Sequence, residues 1–326
     1  MQACQGNPIY ETCMKAIVLA AGYGTRMQPL SQHLPKPLMP VVGRPLLWHI
    51  ITKLAASKAA AVGVNCHHMA GLLEAYTLAA DFGVPVSVSP EPAILGSGGG
   101  IGGFRDFLAD EEYFVVHNGD MLSSINIDAA QDAYRSSMPL CAMVLHDAPG
   151  FNNVCIDSDG CIIDLRDSIR PGTTARRLAY SGICFLRSDM LRFIPPGASD
   201  LVLILIGLIK KGLEKVAAII EERCVWRDVG SPESYLQVHH DILIDKQPLI
   251  DRSCIPQTAF YTGKHTRIGA GADFAGFVSI GDNCSIGKNS RLENCIVWDG
   301  SRIGQAASFK NTIIGPGWSV QPRKEV

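Results

Sequence analysis

The chain has 326 residues, 47% of them hydrophobic and 18% charged, and its 29 Lys+Arg against 31 Asp+Glu leave a formal net charge of −2. So apolar and balanced a composition excludes an intrinsically disordered chain, and the length suits one large domain or two smaller ones. Near-neutrality gives no global pull toward nucleic acid or an anionic membrane, so neither is expected as a partner.

The longest aliphatic run, residues 201–209, falls short of the roughly 18 to 20 residues needed to cross a bilayer and ends at Lys210 and Lys211, so it reads as a buried helix. No basic segment followed by an apolar stretch opens the sequence, which predicts a cytoplasmic protein. The 11 cysteines include no Cys-x-x-Cys pair and are read as reduced thiols rather than a disulfide framework or zinc site.

Residues 1–14 read as an N-terminal extension. From residue 15 to 245, short β-branched or apolar runs alternate with helix-period segments, the pattern of an α/β, Rossmann-like domain with a mixed, mainly parallel sheet. The first strand is predicted at 16–20, followed by a polar, Pro-rich loop and a helix opened by Pro45 with Leu46, Leu47, Ile50, Ile51 and Leu54 on one face. Further strands are predicted at 61–65, 84–88, 113–117 and 140–145, with helices at 70–80, 101–108 and 128–136. The Ser158-Asp159-Gly160 turn between 153–156 and 161–165 predicts an antiparallel hairpin.

Over 246–326 the helical period vanishes. Apolar residues recur every five or six positions at Ile268, Phe274, Ile280, Ile286, Leu292, Val297, Ile303, Phe309 and Ile314, with Gly following several of them. This predicts a short left-handed parallel β-helix of hexapeptide repeats. So small a unit is expected to pack on the first domain or on another copy, which makes a homo-oligomer plausible.

Chemistry concentrates after the first strand. Leu19, Ala20, Ala21, Gly22, Gly24 and Thr25 form a strand end and a glycine-containing loop whose backbone N–H groups can approach phosphate oxygens, and Arg26 and Lys36 add two cations. No G-K-[ST] occurs, so this is not a Walker A loop. Gly98, Gly100 and Gly103 match G-x-G-x-x-G, but strands precede them, which argues against a dinucleotide fingerprint.

The chain resembles the sugar-1-phosphate nucleotidyltransferases along nearly its whole length. Their L-x-A-G-x-G-T-R and P-K-P signature maps onto residues 19–26 and 35–37, their N-G-D onto Asn118, Gly119 and Asp120, and their W-x-D-[IV]-G-[ST]-P-E-x-Y onto 226–235. The resemblance implies that Arg26 and Lys36 hold the nucleotide phosphates and the reacting phosphoryl group and that Asp120 and Asp228 bind Mg²⁺. It places the sugar near Asn153, Tyr180, Ser181 and Gly182. The usual Glu-Lys-Pro is absent, and Arg166 is taken as the replacement cation. The substrates implied are a nucleoside triphosphate and a sugar 1-phosphate. A catalytically silent regulatory subunit is disfavoured because Arg26, Lys36, Asp120 and Asp228 are all present. An acyltransferase carried by the β-helix is disfavoured because the repeat is short and its only histidine is His265.

The base-reading loop is expected at 89–99. It has no Gln for a pyrimidine edge, whereas Glu91 is an acceptor suited to guanine, with Gly96, Ser97, Gly98 and Gly99 against the ring. The loop resembles that of mannose-1-phosphate guanylyltransferases, which leans toward GTP with a mannose-like sugar. The alternative is a UTP- or dTTP-using enzyme such as an N-acetylmuramate-1-phosphate uridylyltransferase.

Overall fold

The computed structural model describes residues 14–322. The expected N-terminal extension lies outside them except for Met14, which already belongs to the first strand.

Strand β1 (Met14–Leu19) leads through the long loop and a minimal pair, β2 (Pro40–Val41) and β3 (Arg44–Pro45), to α1 (Leu46–Ala56). Then come β4 (Ala59–Cys66), α2 (Ala70–Ala79), β5 (Val86–Pro90) and α3 (Gly96–Gly102). Next are β6 (Tyr113–Asn118), β7 (Met121–Ser123), α4 (Ile127–Arg135), β8 (Cys141–His146), β9 (Val154–Ile156) and β10 (Ile162–Leu165). The series closes with β11 (Arg176–Arg187), α5 (Leu201–Lys210), β12 (Val216–Ile220), β13 (Trp226–Asp228) and α6 (Pro232–Leu243).

Nine strands form one mixed sheet, with β1 parallel to both β4 and β6 at its centre and β11 running antiparallel beside β6. The centre is Val-, Ile- and Ala-rich because helices cover both faces, with separate apolar clusters above and below. The hairpin forms as β9–β10, and α5 carries a mostly buried aliphatic face from its Asp200 cap.

One helix differs from expectation. The spacing predicts a helix over 101–108, but the helix is α3, rich in glycine, and turns follow it. Glycine is a poor helix former, and close packing overrides that preference here. A Cβ on Gly98 would meet Ser199 Oγ at 2.6 Å, and one on Gly99 would meet the Gly197 carbonyl at 2.5 Å.

Beyond α6 the chain forms β14 (Phe260–Thr262), β15 (Arg267–Ile268), β16 (Asp273–Ile280), β17 (Ser285–Ile286), β18 (Arg291–Val297), β19 (Arg302–Ile303), β20 (Ser308–Gly315) and β21 (Trp318–Val320). Strands β14, β16, β18 and β20 pair in parallel, as do β15, β17 and β19, and β21 closes antiparallel on β20. Every third step of the repeat returns beside itself, as with Ile286 between Ile268 and Ile303. A Cβ on Gly269, Gly281 or Gly287 would meet the following layer's backbone at 2.5 to 2.8 Å, so these glycines are demanded by close approach. Ile268 departs from the pattern: on the outermost strand of its sheet, it is 45% exposed.

This unit shares a core with the large sheet. Phe277, Ile296, Trp298 and Ile313 belong to the same cluster as Tyr235, Val238 and Ile242 of α6. Trp298 donates to the Tyr235 hydroxyl, and Trp318 stacks on His33 of the long loop with ring centroids 4.4 Å apart.

Candidate active site

Parallel register aligns Leu19 at the end of β1 with Asn65 of β4 on one side and Asn118 of β6 on the other. These carboxyl ends open into a cleft of about 360 Å³, the location expected for a ligand in an open α/β sheet. Leu19, Ala20, Ala21, Gly22, Gly24, Thr25, Arg26, Lys36, Gly96, Ser97 and Asp120 all line it, as do Asn65, Asn118, Gly119 and Gly230. Gly24 has φ +62°, and a Cβ there would press Ser31 at 3.3 Å, so the turn that aims the loop needs glycine.

Two carboxylates from distant parts of the chain meet at this mouth. Strands β7 and β13 pair antiparallel with Asp228 opposite Met121, and the Val229 N–H donates to the Asp120 carbonyl at 2.9 Å. Lys36 Nζ lies 2.9 Å from Asp120 Oδ2 and 3.8 Å from Asp228 Oδ1, and Arg26 Nη2 lies 3.3 Å from Asp228 Oδ2. Lys36 is largely enclosed, whereas the Arg26 side chain is 68% exposed. Asp228 Oδ1 is buried without a hydrogen-bond partner. An orphaned carboxylate oxygen beside a second carboxylate is a hard-oxygen pair of the kind Mg²⁺ takes. Gly230 makes room, since a Cβ there would meet Asp228 Oδ2 at 2.5 Å and Arg26 Nη2 at 2.8 Å.

A smaller hollow of about 140 Å³ adjoins the cleft through Asn118, which lines both. Asn153, Arg166 and Tyr180 face it, together with Met121 and Trp226. Arg166 and Asp167 both have positive φ, at 57° and 53°, in a turn held by the buried Asp164 carboxylate, which accepts from the Ser168, Ile169 and Arg170 N–H groups. Burial pushes the Tyr180 hydroxyl well above its ordinary pKa, keeping it a neutral hydrogen-bonding group.

Several expected site residues stand elsewhere. Ser181 is fully buried within β11, where its Oγ accepts from the Ile183 N–H and its carbonyl from the Trp226 indole, so no hydroxyl is offered to a sugar. Gly182 does not line the hollow; its φ of +85° and the nearness of Met121 and Asn118, 3.0 and 3.1 Å from a would-be Cβ, give it a packing role. Gly98 and Gly99 pack on residues 197–199 rather than line the cleft. Glu91 is 6% exposed and has both carboxylate oxygens engaged, by Asn65 and the Leu95 N–H, so it does not stand at the cleft wall as a base reader. Asn65 lines the cleft without having been singled out from the sequence, and Asn118 and Gly230, which belong to the motifs read there, line it without having been given a site role. Each asparagine does leave a trace, a polar residue near the carboxyl end of a mostly apolar run.

The family model for nucleotidyl transferases matches residues 15–244, and that for the GMPPB C-terminal domain matches 238–326. The chain is 26% identical to mannose-1-phosphate guanylyltransferase of Mycobacterium tuberculosis, over 88% of this chain and 80% of the relative. It is 27% identical to glucose-1-phosphate thymidylyltransferase of Streptomyces antibioticus, over 93% and 92%. It is 35% identical to N-acetylmuramate alpha-1-phosphate uridylyltransferase of Neisseria meningitidis, over 57% and 80%. The fold resembles HddC from Yersinia pseudotuberculosis, with a TM-score of 0.58 and 20% identity over 69% of this chain and 97% of that one. With a matching family model over most of its length, the chain belongs to the nucleotidyl transferase family.

Proposed function

We propose that this chain is a Mg²⁺-dependent sugar-1-phosphate nucleotidyltransferase. The observation that carries the reading is the convergence of Arg26, Lys36, Asp120 and Asp228 at the mouth of the cleft. The nucleoside triphosphate occupies the cleft, with its phosphates on the 20–26 loop. The sugar 1-phosphate enters from the hollow, with Asn153, Arg166 and Tyr180 around it. A phosphate monoester is largely dianionic at neutral pH, so the chain needs no nucleophile or strong base of its own. The sugar phosphate oxygen forms a bond to the α-phosphorus as the bond to the β-phosphate oxygen breaks, and pyrophosphate leaves.

Lys36 and Arg26 bring the two anions together and balance charge on the α-phosphoryl oxygens. Asp120 and Asp228 would hold Mg²⁺, which would supply further neutralisation of phosphate charge. The parallel C-terminal strands are read as the expected left-handed β-helix, with assembly of copies through it as a corollary.

For the substrates, the likeness to the mycobacterial enzyme over 88% of this chain supports GTP with a mannose-like sugar 1-phosphate, while the Streptomyces thymidylyltransferase, alike over 93% at 27% identity, keeps dTTP among the triphosphates to be tested. A second reading, UTP with an N-acetylmuramate-like sugar, is favoured by the 35% likeness to the Neisseria enzyme and by the engagement of Glu91 away from the cleft. Pyrophosphate release with Mg²⁺, each common nucleoside triphosphate and a panel of sugar 1-phosphates tests both. No release in any combination overturns the reaction class, and the best pair assigns the substrates.

A further inference from the structure

The glycine run that resembles a dinucleotide fingerprint has another explanation at Gly100. A Cβ there would strike Asn65 Nδ2 and stand 3.2 Å from Glu91 Oε1. Gly100 thus makes room for a buried side-chain pair, Asn65 and Glu91, which are 3% and 6% exposed.

The pair lies in an unbroken chain of hydrogen bonds. The Ala20 backbone N–H donates to Asn65 Oδ1 at 2.6 Å, Asn65 Nδ2 donates to Glu91 Oε1 at 2.7 Å, and the Leu95 backbone N–H donates to Glu91 Oε2 at 2.8 Å. Its two ends lead into two separate segments that wall the cleft: Ala20 begins the phosphate loop, and Leu95 leads directly into Gly96 and Ser97, while Asn65 itself also borders the cleft. Because both ends are backbone donors, the two side chains between them must accept twice at the ends and make one donor-to-acceptor bond in the middle. One amide and one carboxylate satisfy that requirement while leaving no carboxylate facing another. Breaking any bond strands a buried polar group, so the chain holds the two walls at a fixed separation.

We infer that Asn65 and Glu91 are a positioning pair that sets the width of the nucleotide cleft and so governs nucleoside triphosphate binding, without acting on the sugar subsite. The inference rests on the nucleotidyltransferase reading of the cleft.

The decisive experiment exchanges the two functional groups. N65D sets two carboxylates against each other, and E91Q leaves an amide whose single oxygen cannot occupy both acceptor positions, toward Asn65 and toward Leu95. In the double variant N65D/E91Q, the new carboxylate at position 65 accepts from the Ala20 N–H and from the new amide at position 91. The carbonyl oxygen of that amide accepts from the Leu95 N–H. Every bond is restored with its central direction reversed.

Nucleoside triphosphate affinity is measured by calorimetry without sugar, using the triphosphate the wild type turns over best, alongside KM for each substrate. Each single variant is expected to weaken nucleotide binding at least about tenfold with the sugar 1-phosphate KM unchanged, and the double variant to recover to within about threefold of wild type. Should N65D fail to fold, E91Q and the double variant carry the comparison. A double variant no better than E91Q, or a sugar KM that moves in step with the nucleotide KM, overturns the positioning role. A wild-type chain that binds no nucleoside triphosphate instead overturns the reading of the cleft.

Discussion

Lys36 Nζ lies 2.9 Å from Asp120 Oδ2, joining a cation from the first loop to a carboxylate that follows the sixth strand. Asp120→Asn and Asp228→Asn each remove charge from this cluster. Both are expected to lower kcat to below about a tenth of wild type at saturating Mg²⁺ while circular dichroism stays unchanged. Turnover retained above that level in either variant would remove that residue from the metal-binding assignment.

Lys36→Ala and Arg26→Ala are expected to act on the transition state, lowering kcat by about 100-fold or more with smaller changes in nucleotide KM. Lys36, enclosed between two carboxylates, should also alter stability when lost, because it leaves them facing each other. The exposed Arg26 should not. Steady-state kinetics with urea unfolding separates the two effects, and a change confined to KM would make either residue a simple binding group.

Gly230→Ala places a methyl group against both Asp228 and Arg26. The expected result is a loss of kcat of at least about tenfold with the melting temperature nearly unchanged, because the displaced groups lie at the cleft mouth rather than in the core. Wild-type kinetics in this variant would mean that the Arg26–Asp228 contact is not needed for turnover.

Trp318→Ala removes the ring stacked on His33 and in edge contact with Trp298. A loss of about 2 kcal/mol is expected from the apolar contact, together with faster proteolysis of the loop between Arg26 and Lys36. Limited proteolysis at equal folded fraction checks this, and an unchanged loop would limit Trp318 to the C-terminal unit.

Three buried histidines, His49, His117 and His239, are each held down to about pKa 4, chiefly by burial. His239 Nε2 accepts from the Val42 N–H, a bond that protonation destroys. Their folded values lie below the unfolded value of about 6.5, so the unfolded chain takes up protons first and stability falls as pH drops from about 6.5 toward 4. Each contributes a slope of up to about 1.4 kcal/mol per pH unit in that window. Urea midpoints at pH 7, 6 and 5 measure it, and a flat profile would contradict the neutral buried imidazoles.

The sequence by itself determined the alternation of strands and helices, the change of period beyond residue 245, and the loop bearing Arg26 and Lys36. These are local properties: apolar spacing, glycine in a turn, and residue types concentrated within a few positions. Only the tertiary structure decided which of the nearby residues face the cleft. Asp120 and Asp228 meet because two short strands from distant parts of the chain pair, and a glycine-rich segment becomes a helix because Ser199 and Gly197 leave no room for side chains. Glu91 had the acceptor chemistry for a base edge. It follows directly on β5, where its N–H donates to the Cys66 carbonyl of β4 and its carboxylate turns inward onto Asn65 and the Leu95 N–H, and an orientation set by a neighbouring strand is a nonlocal property that residue type does not encode.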